Sequence, residues 1–261
     1  MIKVFFSYHD LIKNFIRRDL EQRYIGSLLG VYWSFISPLI TLFTYILIFG
    51  FFLKVRVPAS ESIFDFFLYF AAGFLPWAAF QSTVLRASQA IVDNKSYIKK
   101  VPFPSEIFPL YITLSESINL LIGLFIYFIF FFALKGIPGV MVLILPFLII
   151  LQIFFTLGFS LLLSAATVFF RDIPQIINSV FQIWFWATPI VYVITMVPEE
   201  IRWILYLNPL YYFLEFYRDS LLYNTVPDLM HLGVIILITV MLFVFSLWVF
   251  QSVKRGFSEL L

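Results

Sequence analysis

The sequence contains no cysteine and only two histidines among its 261 residues. Without cysteine there is no disulfide, no thiolate nucleophile and no cysteine-bound metal. His9 and His231 stand alone in the sequence, and each reads as an interfacial residue, because a metal site needs convergent partners. Neither a metal site nor a catalytic residue is therefore expected. Charge is scarce as well: Asp, Glu, Lys and Arg make up 12% of the chain, against roughly 25% in ordinary soluble domains. No GxxxxGK[ST] phosphate loop occurs; the spaced glycines of Gly26-Ser27-Leu28-Leu29-Gly30 do not form one, so this polypeptide does not bind ATP by that route. The first 23 residues carry charges throughout and lack the unbroken apolar core of a cleavable signal peptide, so the chain is expected to insert through its own first span. The formal net charge of +2 is not gathered into a basic stripe, and nucleic acid is not an expected partner.

What the sequence does have is apolar length. Hydrophobic residues make up 62% of the chain, and a helix needs about 20 consecutive apolar residues to cross a bilayer core. Six stretches qualify: 30–53, 66–85, 113–134, 140–170, 174–195 and 231–253. An all-α polytopic membrane protein follows, with both termini on one side. Lys3, Lys13, Arg17, Arg18, Arg23, Arg86, Lys95, Lys99, Lys100, Arg171, Lys254 and Arg255 lie on one side of this arrangement, and Lys54, Arg56, Lys135, Arg202 and Arg218 on the other. Positive residues favour the cytoplasm, so both termini are expected there.

Ahead of the first span, residues 4–24 carry a helical pattern. Phe5, Tyr8, Ile12, Phe15, Ile16 and Leu20 share one face, and Asp10, Lys13, Asn14, Arg17 and Glu21 the other. This reads as an amphipathic helix on an anionic membrane surface, or as a helix packed on a soluble partner. The loop between spans two and three, from Arg86 to Glu106, is expected to hold a short exposed helix around Ala87 to Ile98 that presents Asp93, Asn94, Lys95 and Tyr97 to the cytoplasm. A plain solvated linker is the alternative. Pro102 and Pro104 limit helix at its end.

Pro138 and Gly139 are expected to turn the chain before the fourth span, and Pro146 to kink it. Between spans five and six, Pro198 to Leu207 and Leu210 to Leu222 form two aromatic-rich helices, separated at Asn208-Pro209 and each too short to cross. They read as a pair dipping back into the far leaflet, where irregular backbone is tolerated beside protein or a water-filled cavity.

Candidates for chemistry are few. Thr113-Leu114-Ser115-Glu116 fits a capping box, so Glu116 reads as the start of the third span, with transport or catalysis as the alternative. Glu215 and Asp219 share a helix face beside Arg218, a spacing compatible with glycoside hydrolysis and equally with solvated surface charges. Aromatic residues reach 21%. Trp33, Trp203 and Trp248 suit interfacial belts, whereas Tyr45, Tyr69, Trp77, Trp184, Trp186 and Tyr192 recur along the spans. Their rings could stack on the CH faces of sugars and line a glycan path; packing toward lipid is the more frequent role for any one of them.

The run RRDLEQRYIGSLLGVYWSFISPLI, followed in order by Pro102-Phe103-Pro104, Phe170-Arg171-Asp172-Ile173, Thr188-Pro189-Ile190 and Asn208-Pro209-Leu210, resembles the permeases of type-2 ABC exporters, specifically those for O-antigen and other cell-surface polysaccharides. The resemblance spans the whole chain. It implies a single permease domain, 1–261, comprising an interface helix (1–29), a six-span bundle (30–253) and a cytoplasmic tail (254–261). It further implies a homodimer in a bacterial inner membrane, with two copies of a cytoplasmic ABC ATPase that binds the ATP and Mg, no cofactor in this chain, and an undecaprenyl-type lipid-linked polysaccharide as substrate. Arg17 and Arg18, with Asp93, Asn94, Lys95 and Tyr97, would couple to the ATPase. The substrate would enter between the first and fifth spans and pass beneath a lid formed by the re-entrant pair. Export of teichoic acid, lipid or drug by the same architecture is the alternative; a membrane-bound glycan-processing enzyme would need features not found here, and a purely structural scaffold would not need the long inner loop or the re-entrant segment.

Overall fold

The computed structural model describes residues 7–23, 26–57, 62–100 and 104–261. Lys3, Phe5, Glu61, Pro102 and Phe103 lie outside the described residues. Helices α1 (His9–Gln22), α2 (Trp33–Tyr45, continued by a π-helical stretch Ile46–Phe52), α3 (Ile63–Asp93), α4 (Lys95–Lys100) and α5 (Ile107–Lys135) come first. A 3-10 turn, Val140–Ile144, leads into α6 (Leu145–Phe169). Then follow α7 (Ile173–Trp186), α8 (Arg202–Tyr206), α9 (Pro209–Arg218, continued by a π turn Asp219–Tyr223), α10 (Leu229–Val253) and α11 (Phe257–Leu260).

Among the described residues, five helices are long and apolar enough to cross a membrane: Trp33–Phe52, Ile63–Asp93, Ile107–Lys135, Val140–Phe169 and Leu229–Gly256. The expected fifth span, 174–195, is not one helix. Its helix, α7, has 14 residues, about 21 Å at 1.5 Å per residue, and stops before Thr188-Pro189. Two other expectations shift. Helix α3 continues to Asp93, which absorbs Ala87 and its neighbours and leaves only α4 as the separate short helix. Pro146 sits in the first turn of α6 and kinks nothing, because a first-turn proline removes no helical hydrogen bond.

Two ends of the bundle can be told apart by their ion pairs. At one end, Lys135 meets Asp65 at 2.6 Å, and the Met141 N–H donates to Asn224 Oδ1 at 3.1 Å. At the other, Lys254 meets Glu106 at 2.6 Å and α1 joins α3 and α5. Residues 173–224 therefore pass from the α1 end to the opposite end in pieces, and α1 lies at the same end as Lys254.

Helix α3 is the central element, packing on α5, α6, α7 and α9. Its Trp77 and Phe80 are fully buried and meet the aromatic edge of α7, with Phe181 and Trp184 at ring-centroid distances of 5.6–6.1 Å. Pro76, inside α3, turns its carbonyl to the Gln152 amide of α6 at 2.8 Å, and Tyr217 of α9 donates its hydroxyl to the same Gln152. The pair of short helices expected after Pro198 is present as α8 and α9, with Asn208 as the hinge between them. Its side-chain oxygen caps the Leu210 N–H and accepts from Trp184 Nε1, while its amide donates to the Thr188 hydroxyl.

Asn208→Ala is expected to remove a cap, typically about 1 kcal/mol, and two further hydrogen bonds of roughly 1 kcal/mol each. Asn208→Asp keeps the acceptor functions and loses only the donation to Thr188. A ranking of thermal stability in detergent, wild type above Asp above Ala, checks this.

Candidate functional site

Helix α1 brings its apolar stripe onto protein. Ile12 is 2% exposed, and Phe15 stacks on Tyr111 at 5.2 Å while setting its edge against Tyr97 and Phe108 at 5.9 Å. The face read as membrane-facing is thus covered at its centre by α4 and the start of α5. Half-buried Ile16 packs in the same cluster.

The polar edge of α1 enters a partly buried charge cluster. Asp19 accepts from Arg23 Nη2 at 2.7 Å, from the Ser115 hydroxyl of α5, and from Arg86 of α3. Glu116 of α5 accepts from Arg86 Nη1 at 2.6 Å, from Arg23 Nη2 at 2.9 Å and from Asn119 Nδ2 at 2.9 Å. Two carboxylates and two guanidiniums balance, as a buried cluster must, since an unpaired charge in this setting is costly. This corrects the capping reading of Glu116. Helix α5 starts at Ile107, so Glu116 is well inside it, and Thr113 bonds back to the Pro109 carbonyl rather than capping anything.

Burial pushes the Asp19 carboxyl up, but the Ser115 hydroxyl and the nearby Arg86 and Arg23 more than offset this, and its pKa ends below the ordinary carboxylate value. A depressed folded pKa gives stability that is fully present above the unfolded value of about 3.9 and is lost as pH falls through the lower folded value. Docking of α1 is expected to be pH-independent from neutral to about pH 5 and to weaken only below about pH 4; Asp19→Asn should flatten that acid transition. Protection of the α1 backbone from protease, followed down in pH, reads it directly.

Beside this cluster, Phe15, Arg18, Asp19 and Gln22 of α1 face Tyr97 of α4, the preceding Asn94 and Tyr111 of α5 across a cleft of about 190 Å³. Of the residues expected to meet a cytoplasmic partner, the fold brings Arg18, Asn94 and Tyr97 together here. Arg17 points away, exposed and paired with Glu21 at 2.8 Å. Asp93 and Lys95 flank the cleft without lining it, both exposed. The signal for this meeting, helix against loop some 75 residues apart, was composition alone; the ions that fix it, Asp19, Arg23, Arg86 and Glu116, were not singled out as a group.

A wider cleft of about 490 Å³ opens at the same end between α3, α6 and α7. Gln89, Thr167, Arg171, Gln175 and Asn178 line it together with Leu85, Val92 and Pro174. Amides, a hydroxyl and a guanidinium suit a hydroxyl-rich or anionic group.

The six aromatic residues proposed along a glycan path are distributed as follows. Trp77 is wholly buried, and Trp184 stacks on Phe181 at 5.7 Å with its indole N–H on Asn208. Tyr45 lies on Phe70 at 4.9 Å and meets Phe185 at 5.8 Å, closing the seam between α2 and α7; Phe49 and Trp186 continue it at 6.3 Å. Tyr69 is 3% exposed and donates to the Tyr192 carbonyl, and Tyr192 donates to the Trp186 carbonyl. Trp186 is 56% exposed, with Phe49 and Phe185 as its ring neighbours. At the far end, Glu215 pairs with Arg218 at 2.9 Å and Asp219 accepts from the Thr225 hydroxyl, so the two carboxylates serve separate local bonds. Arg218, expected in solvent, is completely buried.

The family model described as ABC-2 type transporter matches residues 10–222. Among curated proteins, the chain is similar to an O-antigen export system permease protein RfbA of Myxococcus xanthus, 28% identical over 99% of this chain and 98% of that protein. It is also similar to two proteins of the same description from Klebsiella pneumoniae, each 29% identical over 97% of this chain and 95% of theirs.

Proposed function

Since the chain belongs to the ABC-2 type transporter family, we propose that it is the transmembrane subunit of an ABC transporter that exports a lipid-linked polysaccharide of the O-antigen type. The similar proteins are O-antigen export permeases along nearly their whole length, which supports this substrate class over teichoic acid, lipid or drug. The chain is a transporter subunit with several membrane crossings rather than an enzyme. In this reading its 261 residues form one permease domain in the bacterial inner membrane. The pieces from α7 to α9 supply the sixth crossing, and both termini face the cytoplasm.

The observation that carries the reading is the cleft between α1 and the Asn94–Tyr97 segment, held in place by four clustered charges of which Glu116 is buried and the others partly so. A chain without a phosphate loop needs an external source of work, and a rigid, partly aromatic cleft at the cytoplasmic end is a fitting socket for one. Two ATPase subunits, each holding ATP and Mg, would dock on two copies of this chain at Arg18, Asn94 and Tyr97, with Arg17, Asp93 and Lys95 at the rim. The undecaprenyl-type lipid would enter along the seam between α2 and α7. Its polar head would pass the Gln89–Arg171–Asn178 cleft, and the glycan would slide over Trp186 and its neighbours at a dimer interface. Weak, repeated stacking allows such sliding, because conduction requires release as well as binding. Helices α8 and α9 would form the outer lid.

The test is mass spectrometry of what co-purifies from native membranes in mild detergent. A stoichiometric ABC ATPase is expected with the wild type, and Arg18→Glu combined with Tyr97→Ala should cut its recovery by at least about tenfold, or 1.4 kcal/mol. Recovery of the chain alone, or with glycosyltransferases and no ATPase, would overturn the reading.

A further inference from the structure

The break after α7 leaves backbone carbonyls without helical partners at residues 188–191, which are buried in the protein. Such groups need donors from elsewhere in the protein. Arg218, the last residue of α9, provides them: its Nη2 donates to the Pro189 carbonyl at 2.7 Å and to the Ile190 carbonyl at 3.2 Å. The same guanidinium gives Nη1 to Glu215 at 2.9 Å and lies 3.7 Å from the centre of the Tyr69 ring on α3. Tyr69 in turn donates to the Tyr192 carbonyl at 3.1 Å, two residues beyond the gripped pair.

Room for this group is made on α3 by Gly73, where a Cβ would stand 2.8 Å from Arg218 Nη2. A cation beside carbonyls just beyond the C-terminal end of α7 is also well placed for the helix dipole. The side chain is 0% exposed, and its Nε has no hydrogen-bond partner among the described residues, so it is not there as a solvated charge. Its contacts hold two backbone carbonyls, a ring and the Glu215 carboxylate.

We propose that Arg218 is a positioning residue of the outer gate: it ties the break at residues 188–192 to α9 and to α3, so that these pieces move as one body when the path opens. The proposal rests on the exporter reading given above. Its site lies away from the α1 cleft, which makes the two separable.

The absence of cysteine allows a direct test, since Val191, 2% exposed, becomes the sole thiol in Val191→Cys. Labelling of that thiol by a membrane-impermeant maleimide in sealed vesicles, glycan exported per ATP hydrolysed, and co-purifying ATPase are measured together. In that background, Arg218→Met and Gly73→Ala should raise the labelling rate at least about tenfold and lower export per ATP, while ATPase recovery stays at the parental level. Arg218→Lys keeps the charge but lacks the planar fork that serves two carbonyls, a carboxylate and a ring at once, and should fall between. Gly73→Ala displaces the guanidinium without removing it, so it decides the matter if Arg218→Met does not fold. Labelling and export per ATP unchanged in the lysine and Gly73→Ala variants would overturn the proposal. Loss of ATPase from the parent would instead count against the exporter reading and leave the labelling result to judge Arg218.

Discussion

Glu116→Ala is expected to release the N-terminal helix from the bundle. The Glu116 side chain is 4% exposed and neutralises both Arg86 and Arg23. Its removal leaves two guanidiniums, 19% and 33% exposed, facing one carboxylate, Asp19, so that solvent screens only part of the excess. Breaking a fully buried pair by deleting one partner costs about 3–5 kcal/mol, because the survivor's charge is stranded; with both arginines reaching some solvent, the cost here falls below that range, at about 2 kcal/mol. Here the cost falls on the joint between α1, α3 and α5, and release of α1 recovers part of it by letting Arg23 reach solvent. Limited proteolysis should therefore cut the α1 segment early in Glu116→Ala, with ATPase recovery falling in step. Glu116→Gln, which keeps an acceptor and loses the charge, should sit between the two. An unchanged proteolytic pattern in the alanine variant would mean that the four charges do not hold α1.

Trp77→Ala should produce the other large effect, and it should be one of stability. Trp77 touches Phe80, Phe181, Trp184 and Phe185 and gives its indole N–H to Gln81. In soluble proteins such truncations cost about 3–5 kcal/mol. Within a bilayer the transfer component shrinks, since lipid tails are as apolar as the core, and lost contacts with an unfilled cavity remain. A loss near the lower limit, about 3 kcal/mol, follows, with Trp77→Phe recovering most of it. Thermal unfolding in detergent measures the ranking. A Trp77→Ala protein of wild-type stability with altered export would instead place this ring on the substrate path.

Some of the fold was plain in the sequence because lipid imposes it. Spans 30–53, 140–170 and 231–253 match their helices within a few residues, since a bilayer-exposed helix has to stay apolar from end to end. The ends of α3 and α5 nearest α1 are not legible in the sequence because Arg86, Gln89 and Glu116 look like loop residues. Their charges and amides are satisfied by partners far along the chain, Asp19 being 67 residues from Arg86, and such pairing leaves no local trace. The stretch 174–195 passed as a span because composition does not register a helix that stops half-way; Thr188-Pro189 was the available warning. Arg218 carried a faint signal too, as a lone cation among aromatic residues with Glu215 one turn before it.

Helix α3 is a lever. Its 31 residues extend about 46 Å, against a hydrocarbon core of about 30 Å, so a substantial arm lies beyond the membrane. A close seat for the helix is where Leu75 meets Gly123 of α5, a Cβ on which would stand 2.7 Å from Leu75 Cδ2. From that fulcrum the arm to Asp93 is about 27 Å and the arm to Ile63 about 18 Å. A tilt of about 10° would sweep the Asp93 tip through roughly 5 Å and the Ile63 tip through roughly 3 Å on those lengths. The geometry trades a longer, gentler stroke at the end that holds α1 for a shorter, stiffer one at the end that holds Lys135 and Asn224.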